Sequence, residues 1–144
     1  MQPVRFAFFP KVSGGAGHSD DESVVFWGED GELLHLATIL ESLPHVSEVW
    51  LESTPVFDVT AATRLRLVLG SPLGLTRVSQ SEFEWRLSSD SAALFARIVR
   101  DLAGHVGHFN YLDNDTLREA GIDPGLEIGQ DVEVIVSSGT VPQW

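Results

Sequence analysis

The stretch EFEWRLSSDSAALFARIVRDLAG, residues 82–104, changes its hydrophobic period once. From Glu82 to Leu87 apolar and charged side chains alternate. Phe83, Trp85 and Leu87 share one side, and Glu82, Glu84 and Arg86 share the other. That is the period of a strand with one buried face. Beyond it, Leu94, Phe95, Ile98, Val99 and Leu102 recur at helical spacing. The pattern predicts a helix over 90–103, capped by Ser89 or Asp90 and closed by Gly104.

The same order occurs earlier in the chain. DGELLHLATILESLP places Leu33, Leu36, Leu40 and Leu43 on one stripe, with Ala37 between them. It predicts a helix over 31–43, with Asp30 as N-cap and Pro44 as the stop. Strands are predicted at 4–9, 23–27, 46–53, 64–70, 82–87, 106–112 and 131–137. Their alternation implies antiparallel neighbours with one face wet. The spans 23–53 and 82–112 both read strand, helix, strand, and both helices are followed by His-Val, at His45-Val46 and His105-Val106. This suggests a worn internal repeat. The expected fold class is α+β: two helices packed on one face of a mainly antiparallel sheet of about six or seven strands, ferredoxin-like or a related α/β sandwich. Residues 1–144 are expected to form one domain, a length that can bury a core without staples. The run KVSGGAGHSDDES has nothing to bury, and a flexible loop is expected at 11–22.

The chain has 144 residues, no cysteine and a net charge of −12. Without cysteine there is no disulfide framework, no thiolate chemistry and no Cys-bearing zinc site. Residues 1–63 carry ten acids against Arg5 and Lys11. Residues 101–144 carry eight against Arg118, whereas 64–100 carry six arginines against Glu82, Glu84 and Asp90. Such a field repels phosphate backbones and attracts a basic protein. The start of the chain has no apolar core of a signal peptide, and no later run approaches a membrane span. The expectation is therefore a soluble, cytoplasmic protein that binds neither nucleic acid nor membrane.

If both helices cover one sheet face, the other must meet water or a partner. Parity sends Leu65, Leu67, Leu69, Val132, Val134 and Val136 inward with Phe83, Trp85 and Leu87. It sends Arg64, Arg66, Glu82, Glu84, Arg86, Asp131 and Glu133 outward. With Val49 and Leu51 inside, Glu48, Trp50 and Glu52 lie outside. A tryptophan between two glutamates resembles an interface anchor more than a surface filler, although a covering loop would account for it equally.

GHVGHFNYLDND, residues 104–115, offers the other concentration of chemistry-bearing groups. His105 and His108 point to opposite sides of a strand unless Gly104 and Gly107 bend the chain. Asp113-Asn114-Asp115 opens like a calcium loop, but Arg118 and Pro124 stand where glycine and glutamate are required. Asp113 or Asp115 is expected to cap a short helix or turn at DTLREAG, closed by Gly121. Phe109 and Tyr111 are expected on the core face, which leaves His108 and Asn110 on the open face beside Trp50. No hydrolase, zinc-protease or dinucleotide motif is present, and no cofactor is expected.

The run SSDSAALFARIVRDLAGHVGHFNYLDND, Ser88 to Asp115, resembles a pattern in small bacterial immunity proteins of polymorphic-toxin systems. There a polar turn and apolar helix lead to a strand opening His-aromatic-polar-aromatic, matched here by His108, Phe109 and Tyr111, with Asn110 where a second histidine is usual. The resemblance implies an inhibitor that blocks a cognate toxin. A second stretch, LREAGIDPGLEIGQDVEVIVSSGTV (117–141), is similar to the looped hairpin of swapped-hairpin transcription factors and antitoxins, but it has a single arginine for DNA.

The sequence thus supports a non-catalytic acidic binding module for one basic protein partner, with a homodimer as a further possibility. Its expected partner-binding residues are Glu48, Trp50, Glu52, Arg66, Glu84, Arg86, His108 and Asn110. The alternatives are a self-associating scaffold or a metal-assisted enzyme using His105, His108, Asp113 and Asp115.

Overall fold

The computed structural model describes residues 4–9, 22–53, 57–59, 64–70, 72–79, 82–125 and 132–139. The loop expected at 11–22 lies outside them, except that Glu22 already begins a strand.

The first half of the chain forms β1 (Val4–Phe9), β2 (Glu22–Gly28), α1 (Asp30–Val46), β3 (Glu48–Trp50), a 3-10 turn at Leu51–Ser53, β4 (Phe57–Val59) and β5 (Arg64–Leu69). The second half forms β6 (Gly74–Arg77), β7 (Glu82–Leu87), α2 (Ser89–Leu102), β8 (Phe109–Tyr111), α3 (Asn114–Glu119) and β9 (Val132–Ser138). The fold is α+β, but the strands do not make one sheet. Among the described residues they make a five-stranded sheet, β4-β1-β2-β9-β8, and a four-stranded sheet, β3-β5-β7-β6.

Both sheets are mixed, so the expected mainly antiparallel, ferredoxin-like layout is corrected. The pairs β1–β2, β3–β5, β6–β7 and β8–β9 run antiparallel. The pairs β1–β4, β2–β9 and β5–β7 run parallel. Two of these parallel ladders join the halves of the chain. Each half contributes a hairpin to one sheet, crosses through its helix, and places later strands in the other sheet, β3 and β5 from the first half and β8 and β9 from the second, while β4 returns to the edge of the first sheet.

The repeat is visible in the structure, and its register is constant from β2 and β7 through the two helices. Moving by 59 residues carries Leu33, Leu36, Ala37, Leu40 and Leu43 of α1 onto Ala92, Phe95, Ala96, Val99 and Leu102 of α2, all ten of them buried. It also carries Val24 and Phe26 of β2 onto Phe83 and Trp85 of β7. Even the strand ends match. Gly70 N–H donates to Leu87 O at 3.1 Å, and Gly139 N–H donates to Gly28 O at 2.7 Å. The shared His-Val does not belong to this register. His45 and Val46 end α1, whereas His105 and Val106 lie in the turn after α2.

The helices begin as short polar signals dictate, one residue earlier than expected. Ser88, not Ser89 or Asp90, caps α2. Its hydroxyl accepts from Ser91 N–H at 3.0 Å, while Ser91 Oγ accepts from Ser88 N–H at 2.8 Å. Glu29, not Asp30, occupies the N-cap of α1, and Glu32 Oε1 accepts its N–H at 3.3 Å. Pro44 does not stop α1. It removes one N–H from the ladder, yet Ser47 N–H still reaches Leu43 O at 2.8 Å and closes a further turn. Ser47 itself takes the left-handed conformation, φ 69°. The strand expected at 46–53 is shortened by these events to three residues.

One hydrophobic cluster joins the helices to the inner faces of both sheets. Phe26, Val134 and Val136 enter it from the first sheet, and Leu65, Leu67, Phe83, Trp85 and Leu87 from the second. The inward assignment of Leu65, Leu67, Phe83, Trp85, Leu87, Val134 and Val136 is therefore correct. Val25, Trp27 and Ile135 form a separate buried cluster on the opposite face of the first sheet. That face is not open at these positions, and only the second sheet keeps a polar outer face among the described residues.

Candidate partner-binding surface

Alternation in β5 and β7 turns their charged residues away from the helices, and register brings them together. Arg66 lies opposite Trp50 on β3 and Glu84 on β7. Val68 lies between Glu48 and Arg86 in the next row. Arg66 Nη1 is 3.4 Å from Glu48 Oε1, its Nη2 pairs with Glu84 Oε1, and Arg86 Nη1 is 3.1 Å from Glu84 Oε2. Arg86 Nε also donates to Pro72 O at 2.8 Å, which fixes that guanidinium against the β5–β6 connection. Partial desolvation pulls the Arg66 pKa down, but the hydrogen bond and charge of Glu84, with those of Glu48, outweigh it and raise the value overall.

Trp50 is half-buried at the margin of this lattice. The guanidinium carbons of Arg64 and Arg66 stand 4.8 Å and 5.4 Å from its ring centroid, within cation–π range. Arg64 was expected only as an outward residue, and its place over the indole follows from standing two residues before Arg66 on the same face. The carboxylates Glu48, Glu82 and Glu84 are matched on this face by Arg64, Arg66 and Arg86. The acidic excess of the chain therefore lies elsewhere.

The structure brings Glu48, Trp50, Arg66, Glu84 and Arg86 together as the sequence implied. Glu52 falls in the 3-10 turn, and its side chain is outside the described residues. His108 and Asn110 do not join them. Asn110 is on β8, opposite Val136, in the other sheet, and His108 immediately precedes that strand. The expectation that Phe109 and Tyr111 face the core is also overturned, since they are 46% and 39% exposed. Leu112 is the core residue of this segment. Parity was sound, but β8 is a short edge strand whose aromatic side points outward. The repeat is the signal that could have found this: Tyr111 takes the place in β8 that Trp50 takes in β3, each two residues beyond a strand-opening position.

The chain does bend at 104–108. His105 N–H donates to Leu102 O, His108 N–H donates to His105 O, and Gly107 has φ 90°. The two imidazoles meet edge to face at 5.8 Å, with His105 Nδ1 2.8 Å from Asp101 O. Asp113 is engaged as the N-cap of α3, accepting from Thr116 N–H at 3.0 Å, and Asp115 pairs with Arg118 at 2.7 Å. Among the described residues no group of three or more His, Asp or Glu could hold a metal ion. No described helix is long and apolar enough to cross a membrane. No family model matches the chain, and no curated protein or solved structure matches it.

Proposed function

We propose that this protein is a non-catalytic binding module of the immunity type, an acidic inhibitor that docks on a basic partner such as a toxin domain. The observation that carries the reading is the outer face of the second sheet. There a half-exposed tryptophan lies within cation–π range of two arginines in an ion-paired lattice, on the side away from both helices. Ordered arginines and an aromatic of low side-chain entropy are the residue types that dominate protein interfaces. The net charge of −12 would steer a basic partner toward the molecule from a distance. The likeness of Ser88–Asp115 to immunity proteins points the same way.

Affinity capture from a lysate of the source cell tests the reading. One protein partner is expected, with a Kd that rises at least about tenfold in Trp50→Ala and rises further with added salt. Capture unchanged in Trp50→Ala and in the paired reversal Glu48→Lys, Glu52→Lys would reject this face.

A further inference from the structure

A second surface is carried by the edge of the first sheet, where β8 ends the strand order. Leu112 N–H donates to Val134 O at 2.8 Å, and Ser138 N–H donates to His108 O at 2.9 Å. With Asn110 opposite Val136 between them, the even-numbered residues carry the bonds to β9. The backbone groups of Phe109 and Tyr111 then point away from the sheet. Tyr111 C=O accepts from Thr116 Oγ1 at 3.1 Å. Phe109 N–H and C=O have no partner among the described residues. An edge with unpaired backbone groups is a template for another strand.

Two features say what kind of strand. The rings of Phe109 and Tyr111 meet edge to face at 6.0 Å and are both exposed, providing an apolar platform beside the edge. Next to them is a groove of about 470 Å³ lined by Asn110, Tyr111, Asp113, Asp115 and Glu119 among others. Across residues 101–125 the carboxylates of Asp101, Asp113, Asp115, Glu119 and Asp123 face a single fixed cation, Arg118, which is already paired with Asp115. This is where part of the acidic excess resides. A second copy of the chain would bring the same carboxylates against each other, so charge disfavours self-pairing here.

We infer that the β8 edge binds an extended basic segment of a protein partner as an added strand, with an apolar residue on Phe109–Tyr111 and a Lys or Arg side chain in the adjoining groove. The inference rests on the reading of this protein as a binder of basic partners, and names a surface distinct from the Trp50 face. Strand addition takes its affinity from main-chain hydrogen bonds and its selectivity from alternate side chains.

The test is an NMR titration of the full chain with a synthetic peptide of about eight alternating Lys and Val residues, enough for one strand. Saturable shifts at the Phe109, Asn110 and Tyr111 amides are expected. N-methylation of alternate peptide nitrogens should weaken binding at least about tenfold. Glu119→Lys should weaken it about three- to tenfold, whereas Trp50→Ala should leave it unchanged. Equal binding of the N-methylated peptide, or the absence of shifts along β8, would overturn the inference. Failure there with capture still lost in Trp50→Ala removes the edge and leaves the binding function standing. Peptide binding at β8 with capture indifferent to Trp50 removes the Trp50 face and leaves the edge standing.

Discussion

Phe26 and Trp85 stack with ring centroids 6.1 Å apart, and each stands where the internal repeat would place the other. Residues related by a two-fold can touch their own counterparts only at the axis. These two rings therefore mark the axis within the core, and Phe95 continues the stack at 5.7 Å from Trp85. Trp85→Ala should destabilise by about 3–5 kcal/mol, as expected for a buried aromatic replaced by a methyl group. In a double-mutant cycle, Phe26→Leu and Trp85→Leu should show a coupling of about 0.5–1.5 kcal/mol, the usual strength of a ring pair beyond its buried area. Urea unfolding followed by circular dichroism measures both. Strict additivity would show that the two rings are neighbours without interacting.

The exchange of strands between the halves makes a prediction about cutting the chain. β2 requires β9 as its parallel neighbour, and β7 requires β5. A fragment of residues 1–70 lacks β9 and β7, and a fragment of 71–144 lacks β2 and β5. The second alone would keep only the two-stranded ribbons β6-β7 and β8-β9, and the first only β3-β5 and a β4-β1-β2 set in which β4 is three residues long, so each leaves inner faces in water and is marginal at best. Mixing the two fragments should give a 1:1 complex with the near-ultraviolet tryptophan spectrum of the whole chain. Size-exclusion chromatography with light scattering reads the stoichiometry. Either fragment folding as a monomer would show that the halves do not depend on exchange.

Most of what was legible in the sequence concerned single elements. The alternation in β5 and β7 placed Leu65, Leu67, Phe83, Trp85 and Leu87 correctly in the core, because a strand with one wet face must alternate. It therefore also gave the outward lattice of Arg66, Glu84 and Arg86. Pairing was not legible. Period says which side a residue faces, not which strand lies beside it, so two mixed sheets looked like one. β6 escaped because Gly74 and Thr76 give Gly74–Arg77 no clear alternation. The side of Phe109 and Tyr111 was misjudged because aromatic residues are usually buried. At an edge with only three residues, Leu112 supplies the burial instead. The repeat could have corrected the side of the aromatic residues, since it places Tyr111 of β8 where β3 has the outward Trp50.

Glu41 and Arg100 are the surface counterpart of the Phe26–Trp85 pair, again related by the repeat. Arg100 Nε donates to Glu41 Oε2 at 3.2 Å, and Nη2 bonds the other carboxylate oxygen, so the pair joins α1 to α2 in a fork. The hydrogen bond from Arg100 lowers the Glu41 pKa, partly opposed by desolvation and assisted by the arginine charge. A carboxylate depressed in the folded state stabilises above its ordinary pKa, and the contribution disappears as pH falls through the depressed value. Glu41→Gln should therefore lower Tm slightly at about pH 7 and not at all at strongly acidic pH. High salt should shrink the difference, because both groups are largely exposed. Scanning calorimetry across pH checks this. A Tm difference that persists in strong acid would assign the effect to packing rather than charge.

The repeat is least symmetrical where Gly28 meets Glu32. The second half places Leu87 and Ser91 at the corresponding positions, and Leu69 where the first sheet has Ser138. Glu32 is buried, and among the described residues neither its Oε2 nor Ser138 Oγ has a hydrogen-bond partner. A Cβ at residue 28 would stand 3.0 Å from Glu32 Cβ and 3.2 Å from Oε2. Glycine is required here by space rather than by backbone conformation. Gly28→Ala should cost about 1–3 kcal/mol through overpacking against a side chain held in the first turn of α1. Ser91 shows that a shorter N3 residue still caps its helix, through the 2.8 Å bond from Ser88 N–H. Glu32→Ser should therefore create the room that alanine needs, so the double variant should be more stable than the sum of the two single changes predicts. A coupling of at least about 1 kcal/mol in chemical unfolding is expected for residues in direct contact. Additive costs would mean that Gly28 is constrained by the sheet and not by the glutamate above it.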